Sequence, residues 1–102
     1  MGYEYEGHFA APIAETAVRT LFDSLTTDSR WRLVRRSGNE LALAYAEQPP
    51  NPAWPESIVV QPSESRIYVL FHGYTGSQAS DFLDAVTRTL ASLGAACVIE
   101  EL

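Results

Sequence analysis

Hydrophobic and polar residues follow two different periods along the chain, and each change of period marks a new element. Residues 3–9 alternate between aromatic or small side chains and polar ones, which is the period of a half-buried strand. Apolar residues from Ala14 to Leu25 recur at spacings of three and four, which predicts an amphipathic helix that begins at Pro12. One face of this helix is expected to pack on a sheet.

Four strand-like runs follow, and turn residues join them into two hairpins. The runs are residues 31–36, 41–47, 57–61 and 66–72. The first hairpin turns at Ser37-Gly38-Asn39, where glycine and asparagine tolerate a tight reversal. The second turns at residues 62–65, and its apolar run 67–71 predicts a central strand covered on both faces.

A second amphipathic helix and a last strand complete the chain. The apolar stripe of this helix consists of Phe82, Leu83, Val86, Leu90 and Leu93. Thr75 and Gln78 fit a capping box at its start, although Ser77 fits the cap position equally well. Gly94 is expected to end the helix, and the apolar residues of the strand 96–101 suit an inner or near-inner position in the sheet.

The order β-α-β-β-β-β-α-β predicts an α+β fold, a ferredoxin-like two-layer sandwich with one additional hairpin. Right-handed crossovers should place both helices on one face of an antiparallel or mixed sheet. The other face is then open to solvent, a partner or a second copy. A length of 102 residues with 46% hydrophobic content predicts one domain over residues 1–102.

The net charge of the chain indicates which kinds of partner molecule it is expected to bind. Thirteen acidic residues oppose seven basic ones, all arginine, for a formal net charge of −6. Such a field disfavours nucleic acids and anionic membranes and attracts a basic protein, although it also serves solubility alone. The chain shows no signal-like leader and no run approaching a membrane span, so we expect a cytoplasmic protein.

A proline-rich segment supplies the predicted binding surface. Four prolines within residues 49–55 favour stiff extended backbone, and this segment presents Trp54 with Glu47 and Glu56 on either side. A stiff loop loses little entropy on docking, so Trp54 is the main predicted anchor, with the alternative that it folds back onto the core. The predicted partner-binding residues are Trp54, Glu47, Glu56, Tyr74 and His72.

Two local patterns in the second half suggest other chemistry. Residues 68–77 resemble the strand and loop that form part of the oxyanion hole in α/β-hydrolases, but the chain lacks the G-x-S-x-G nucleophile turn. Residues 73–77 open a helix, where an anion could bind, but without lysine the interpretation as a capped turn is favoured. We therefore expect no enzymatic activity.

Metal and thiol chemistry are also disfavoured by the pattern. Glu4, Glu6 and His8 project from one face of the first strand, so a weak metal site there competes with a solvated edge. Cys97, the single cysteine, lies in an apolar run and is expected to pack in the core. The sequence predicts no bound cofactor.

In size, acidity, α+β pattern and absence of a catalytic motif, the chain resembles the small immunity proteins of bacterial toxin–immunity systems. The resemblance spans the whole chain loosely, including the strand, corner, helix and final strand of residues 68–102. It implies a non-enzymatic inhibitor that occludes the active site of a basic toxin acting in the cytoplasm. The alternative is a small-molecule-binding or regulatory domain of ferredoxin-like type that forms a homodimer through its open sheet face.

Overall fold

The fold was analysed in a computed structural model that describes residues 2–47, 55–72 and 76–102. In chain order the elements are β1 (Gly2–His8), α1 (Glu15–Thr27), β2 (Trp31–Arg36), β3 (Leu41–Tyr45), β4 (Ile58–Pro62), β5 (Arg66–His72), α2 (Gly76–Ser92) and β6 (Ile99–Glu101). Their types and order agree with the alternation of periods in the sequence.

The strands form one six-stranded sheet in the order β2-β3-β4-β5-β1-β6, and every neighbouring pair is antiparallel. Both helices contribute to a single hydrophobic core with the strands, so they cover the same face of the sheet. The domain is therefore α+β and compatible with a two-layer sandwich. The six-strand order differs from that of a plain ferredoxin-like sheet.

The core is built from the inward-facing positions of the strands and the apolar stripes of the helices. Its largest fully buried side chains are Phe22, Phe71, Phe82, Leu21, Leu25, Leu41, Leu43, Ile58, Ile67, Leu90, Val60 and Val69. Phe82 packs edge-on against both Trp31 and Phe71, with ring centroids 5.0 and 5.9 Å away. This aromatic contact joins α2 to the edge strand β2 and to the central strand β5.

The first helix begins later than predicted. Pro12 lies before the helix, and Ala14, at φ −73° and ψ 147°, is extended immediately before Glu15. The amide of Ile13 donates a hydrogen bond to the carbonyl of Glu64, 2.9 Å away in the turn between β4 and β5. This tertiary hydrogen bond holds the segment out of the helix, so the assignment of Pro12 to the first helical position is wrong.

The last strand lies at the edge of the sheet rather than in an inner position. Only Ile99–Glu101 are in strand conformation, and they pair with β1 alone. Val98 is 74% exposed although it belongs to the apolar run that suggested an inner strand. The prediction is wrong because β5 pairs with one side of β1 and β6 pairs with the other, which places β6 at the edge of the sheet.

The predictions for β5 and for the ends of α2 have mixed outcomes. β5 is flanked by β4 and β1 as expected of a central strand, but only its helix side is fully buried and its other side is half-buried. Gly94 ends α2 with a φ of +76°, as expected of a glycine in the left-handed region. Ser77 lies inside α2, and Thr75 lies outside the described residues.

Candidate functional site

Three of the five predicted partner-binding residues lie at one end of the sheet. Glu47 follows the end of β3, Glu56 precedes β4, and His72 ends β5. Because these strands are antiparallel neighbours, the end of β3, the start of β4 and the end of β5 lie side by side. Trp54 and Tyr74, the other two residues, lie outside the described residues.

The three residues differ in their surroundings. Glu47 is exposed, whereas the Glu56 side chain is only 16% exposed and its Oε2 lies 3.9 Å from Nη1 of Arg35. His72 is half-buried, and its amide donates a hydrogen bond of 2.8 Å to the carbonyl of Ser57. Of the two acidic residues expected to face a partner, Glu47 is the more available.

A cavity of about 270 Å³ opens at this end, between the start of β2, the end of β3 and the first turns of α2. We call it the sheet-end cavity, and its lining residues are Ser29, Arg30, Trp31, Tyr45, Ala46, Glu47, Gln78 and Asp81. Its size suits one amino-acid side chain better than a cofactor, since small-molecule sites commonly measure about 300–1,000 Å³.

Tyr45 is the least usual residue of this lining. It pairs with Trp31 across β2 and β3, and both side chains are directed to the helix layer. Only 3% of Tyr45 is exposed, and its hydroxyl has no hydrogen-bond partner among residues 2–47, 55–72 and 76–102. Burial raises the pKa of Tyr45 to about 12, because the phenolate would lose its hydration. A buried hydroxyl without a partner costs free energy, which makes it a candidate for an interaction with a ligand.

The charges around the cavity divide into a paired set and an unpaired set. Arg30 contacts Asp28 through Nη2 and Oδ2 at 2.8 Å, and its Nε lies 3.1 Å from Oδ1. Hydrogen bonds from Arg30 hold the pKa of Asp28 below its ordinary value, and the pKa of Arg30 is raised in return. Within the described parts of the chain, Glu47 and Asp81 form no ion pair, although the charge of Asp81 contributes to the raised pKa of Arg30.

The face of the sheet opposite the helices carries a second polar region, which we call the open-face network. The hydroxyl of Tyr68 donates a hydrogen bond of 2.5 Å to Glu4. Glu6 lies 2.9 Å from Nε2 of His8 and 3.5 Å from Nη1 of Arg66. Desolvation, together with the hydrogen bond to Glu4, raises the pKa of Tyr68 to about 12.

This network borders a wider concavity of about 550 Å³. Its lining residues are Glu6, Asn39, Glu40, Gln61, Pro62, Ser63, Arg66 and Tyr68. Hydroxyl, amide, carboxylate and guanidinium groups are all present, so donors and acceptors of a small polar molecule could both be satisfied. Several of these groups already bind one another, which leaves fewer free than the composition suggests.

The remaining candidate residues for metal or thiol chemistry are not assembled into a larger site. No group of three or more His, Cys, Asp or Glu residues able to hold a metal ion occurs within residues 2–47, 55–72 and 76–102. Cys97 is half-buried against the core, and burial raises the pKa of its thiol. A thiol with a raised pKa is a weak nucleophile, in agreement with a packing role.

Sequence reasoning missed Tyr45 and Asp81. Two-residue alternation in β3 places Tyr45 on the inner side of the sheet with Leu41 and Leu43. The sequence therefore contained a signal for this residue, namely a polar hydroxyl at a position that faces the core. No comparable signal marks Asp81, because nothing in the local sequence relates α2 to the end of β3. Only the packing of α2 on the sheet brings Asp81 and Glu47 to one cavity.

In comparisons with known proteins, no family model, no curated protein and no solved structure matches this chain. Neither of the two helices in the described residues has the length and apolarity required to cross a membrane.

Proposed function

We propose that this protein is a non-enzymatic inhibitor that occludes the active site of a basic partner protein, as an immunity protein does with a cytoplasm-acting bacterial toxin. One observation carries the proposal: the fold brings the carboxylates of Glu47 and Asp81 to a single cavity and gives neither an ion-pair partner within the described residues. Unpaired carboxylates at a cavity favour a cationic group from another molecule.

The net charge supports the same direction of binding. A formal charge of −6 attracts a basic protein over a distance of about one Debye length, roughly 8–10 Å at ordinary salt. Binding at the sheet end would also place the partner beside Glu56 and His72. In the sequence, Trp54 and Tyr74 are each two residues away from one of these residues. The proposed surface therefore consists of the sheet-end cavity and its surroundings.

The test starts with recovery of the partner from the native host at low salt and its identification by mass spectrometry. The purified partner's own activity is then assayed with increasing amounts of this protein. We expect stoichiometric inhibition, with an association rate that falls as salt is raised. The variant Glu47→Gln/Asp81→Asn should inhibit at least tenfold more weakly, since both unpaired carboxylates are lost.

A matched control changes the charge by the same amount elsewhere. Glu15→Gln/Glu64→Gln alters two exposed acids at the opposite end of the sheet and should inhibit like the wild type. If both double variants inhibited equally weakly, the loss of inhibition would be explained by net charge alone. That result would contradict binding through the sheet-end cavity. Absence of inhibition at a molar excess of this protein would overturn the proposal itself.

The second candidate function is a small-molecule-binding or regulatory domain that self-associates through its open sheet face. The concavity of about 550 Å³ beside the open-face network favours it. So does the chain order, since omission of the β2–β3 hairpin leaves β-α-β-β-α-β, the ferredoxin-like arrangement. A stable homodimer in light scattering, with a melting temperature that rises with a small polar ligand, would favour this candidate over the inhibitor.

A further inference from the structure

We propose that copies of this chain associate edge to edge, with β2 of one copy pairing antiparallel to β6 of the next. These two strands form the edges of the six-stranded sheet, and each pairs with one neighbour, β3 or β1. An edge strand leaves a row of backbone N–H and C=O groups with which another strand can pair. The inference goes beyond the proposed function, because the partner is a second copy of the same chain.

The topology of the sheet allows this pairing without turning either copy over. Every neighbouring pair in the order β2-β3-β4-β5-β1-β6 is antiparallel, so the two edge strands run in opposite directions. A second copy placed beside the first in the same orientation therefore presents its β2 antiparallel to β6. The helices of both copies then lie on the same face of one continuous sheet.

The two edges carry opposite charges that the chain itself does not neutralise. Of the four arginines in residues 30–36, only Arg32 has no ion pair within the described residues. At the other edge, neither Glu100 nor Glu101 has an ion pair in the same part of the chain, and all three side chains are exposed. Pairing of β2 with β2, or of β6 with β6, would bring like charges together. The charges therefore favour pairing between the two different edges.

Glu100 has a further reason to attract a cation. It lies directly across from Glu6 of β1, and like charges at directly opposite positions of a sheet are destabilising. On its own side, Glu6 is compensated by His8 and Arg66, at 2.9 and 3.5 Å. A guanidinium group that arrived on the free side of β6 would compensate Glu100 in the same way.

One register matches charged with charged and apolar with apolar side chains. Arg32 and Glu100 project from the open face, whereas Leu33 and Ile99 lie on the helix side, as their positions relative to the core show. If Arg32 pairs with Glu100, antiparallel alignment places Leu33 opposite Ile99. Leu33 is 49% exposed, so this contact would cover an apolar side chain that the single chain leaves in solvent.

The contact is short, so the association should be weak and open-ended. β6 contains three residues, and pairing over this length buries less than the roughly 1,000 Å² expected of a stable interface. We expect a dissociation constant on the order of 0.1–1 mM. Because the two surfaces differ, each added copy leaves one free edge of each kind. The assembly should therefore grow with concentration instead of stopping at a dimer.

The test measures the weight-average molar mass by sedimentation equilibrium up to millimolar protein, at about 0.15 M salt to screen the general repulsion between chains. We expect the mass of the wild type to rise with concentration and to show no plateau at the dimer. Dilution of the ¹⁵N-labelled protein should shift the NMR signals of β2 and β6 and leave those of the inner strands β4 and β5 in place.

Charge-reversal variants test the proposed pair. Arg32→Glu and Glu100→Arg each place like charges at the contact, and each alone should weaken association several-fold. They change the net charge by equal amounts in opposite directions, so general repulsion cannot explain the same effect in both. Mixing the two variants, or combining both changes in one chain, restores opposite charges and should restore association.

Matched controls make the same charge changes away from both edges. Arg19→Glu in α1 and Glu64→Arg in the turn between β4 and β5 alter exposed residues and should associate like the wild type.

Three results would contradict the inference. They are a monomer mass that stays constant up to millimolar protein, a plateau at the dimer with NMR shifts at one edge only, and a mixture of Arg32→Glu and Glu100→Arg that associates no better than either variant alone. Each of them is compatible with full inhibition of a partner, so failure of edge pairing leaves the inhibitor proposal standing.

Discussion

The open-face network and the sheet-end cavity contain similar residues, but fewer of the polar groups at the sheet end have partners within the described residues. On the open face, Glu4 accepts a hydrogen bond from Tyr68, and Glu6 lies between His8 and Arg66. At the sheet end, the Tyr45 hydroxyl has no hydrogen-bond partner in the part of the chain that the structure describes. Each region therefore has one tyrosine with a pKa raised to about 12, but within the described residues only the Tyr68 hydroxyl has a hydrogen-bond partner.

This difference shows where the negative charge of the chain is available. Part of the formal charge of −6 lies on carboxylates that the chain already neutralises locally, and such groups offer little to a partner. Glu47 and Asp81 line a cavity and form no ion pair within the described residues. The two regions therefore differ in how their acids are paired rather than in how many acids they contain.

The largest expected effect removes the support behind the cavity wall. Phe82→Ala deletes a ring that is completely buried and packs on both Trp31 and Phe71. We expect the free energy of unfolding to fall by about 3–5 kcal/mol, as for other buried aromatic deletions, measured by urea denaturation with circular dichroism.

Leu83→Ala on the same helix is the matched control, because Leu83 is only half-buried. Its loss of stability should be clearly smaller. A loss at Leu83 equal to that at Phe82 would contradict the assigned core.

A smaller effect should be confined to the edge of the sheet beside the open-face network. In Gly7→Ala, the new Cβ would lie 2.9 Å from Cγ1 of Ile99 and 3.2 Å from the carbonyl oxygen of Val98. β6 must shift to make room, so we expect a loss of about 1–3 kcal/mol in urea denaturation.

Gly38→Ala is the control for this change, since a Cβ there meets nothing within 4 Å and is expected to be nearly neutral. NMR signals of Trp31 and Tyr45 should remain in place in Gly7→Ala, because β6 lies at the other edge of the sheet from β2. A large shift of these signals would show that the two regions are coupled.

Ionisation of the buried Tyr45 should lower the free energy of unfolding at alkaline pH. The pKa of Tyr45 is raised to about 12 in the folded protein from an ordinary value of 10.0, so between these values the folded state holds a proton that the unfolded state has lost. Stability is then full below pH 10 and falls as the pH rises towards 12, by up to about 1.4 kcal/mol per pH unit from this residue.

Urea denaturation over this range should give a shallower decline for Tyr45→Phe than for the wild type. Identical slopes would mean that Tyr45 ionises as readily in the folded state as in the unfolded state.

The smallest expected effect is also the most direct test of the comparison between the two tyrosines. Tyr45→Phe removes an unsatisfied hydroxyl and should raise the free energy of unfolding by about 1 kcal/mol. Tyr68→Phe breaks the hydrogen bond to Glu4 and should lower it by about 0.5–1.5 kcal/mol. Both changes delete one hydroxyl, so effects of the same sign, measured at pH 7, would refute the difference in pairing.

Local patterns predicted the elements well where one period extends over many residues. The strands of residues 31–36 and 66–72 have the predicted bounds, and the predicted glycine ends α2. The errors occur where tertiary contacts decide: the hydrogen bond from Ile13 to Glu64 delays α1, and pairing with β1 alone leaves β6 at the edge. Such contacts connect residues too far apart in the chain to leave a local pattern.

The candidate site was predictable in part. The sequence drew attention to Glu47, Glu56 and His72, and antiparallel pairing places all three at one end of the sheet. It did not anticipate that Glu56 is largely buried near Arg35, or that α2 adds Asp81 beside Glu47. Pairing and burial of charges depend on distances across the fold, which spacing along the chain does not contain.

By itself, the sequence determined the α+β class, the order of the elements and the excess of negative charge, because hydrophobic periods and residue counts are properties of the chain. Tertiary structure alone decided the strand order, the position of β6 and the division of the polar groups into paired and unpaired sets. The physical reason is that hydrogen bonds and ion pairs act over a few ångströms, so their formation depends on which distant residues the fold brings together.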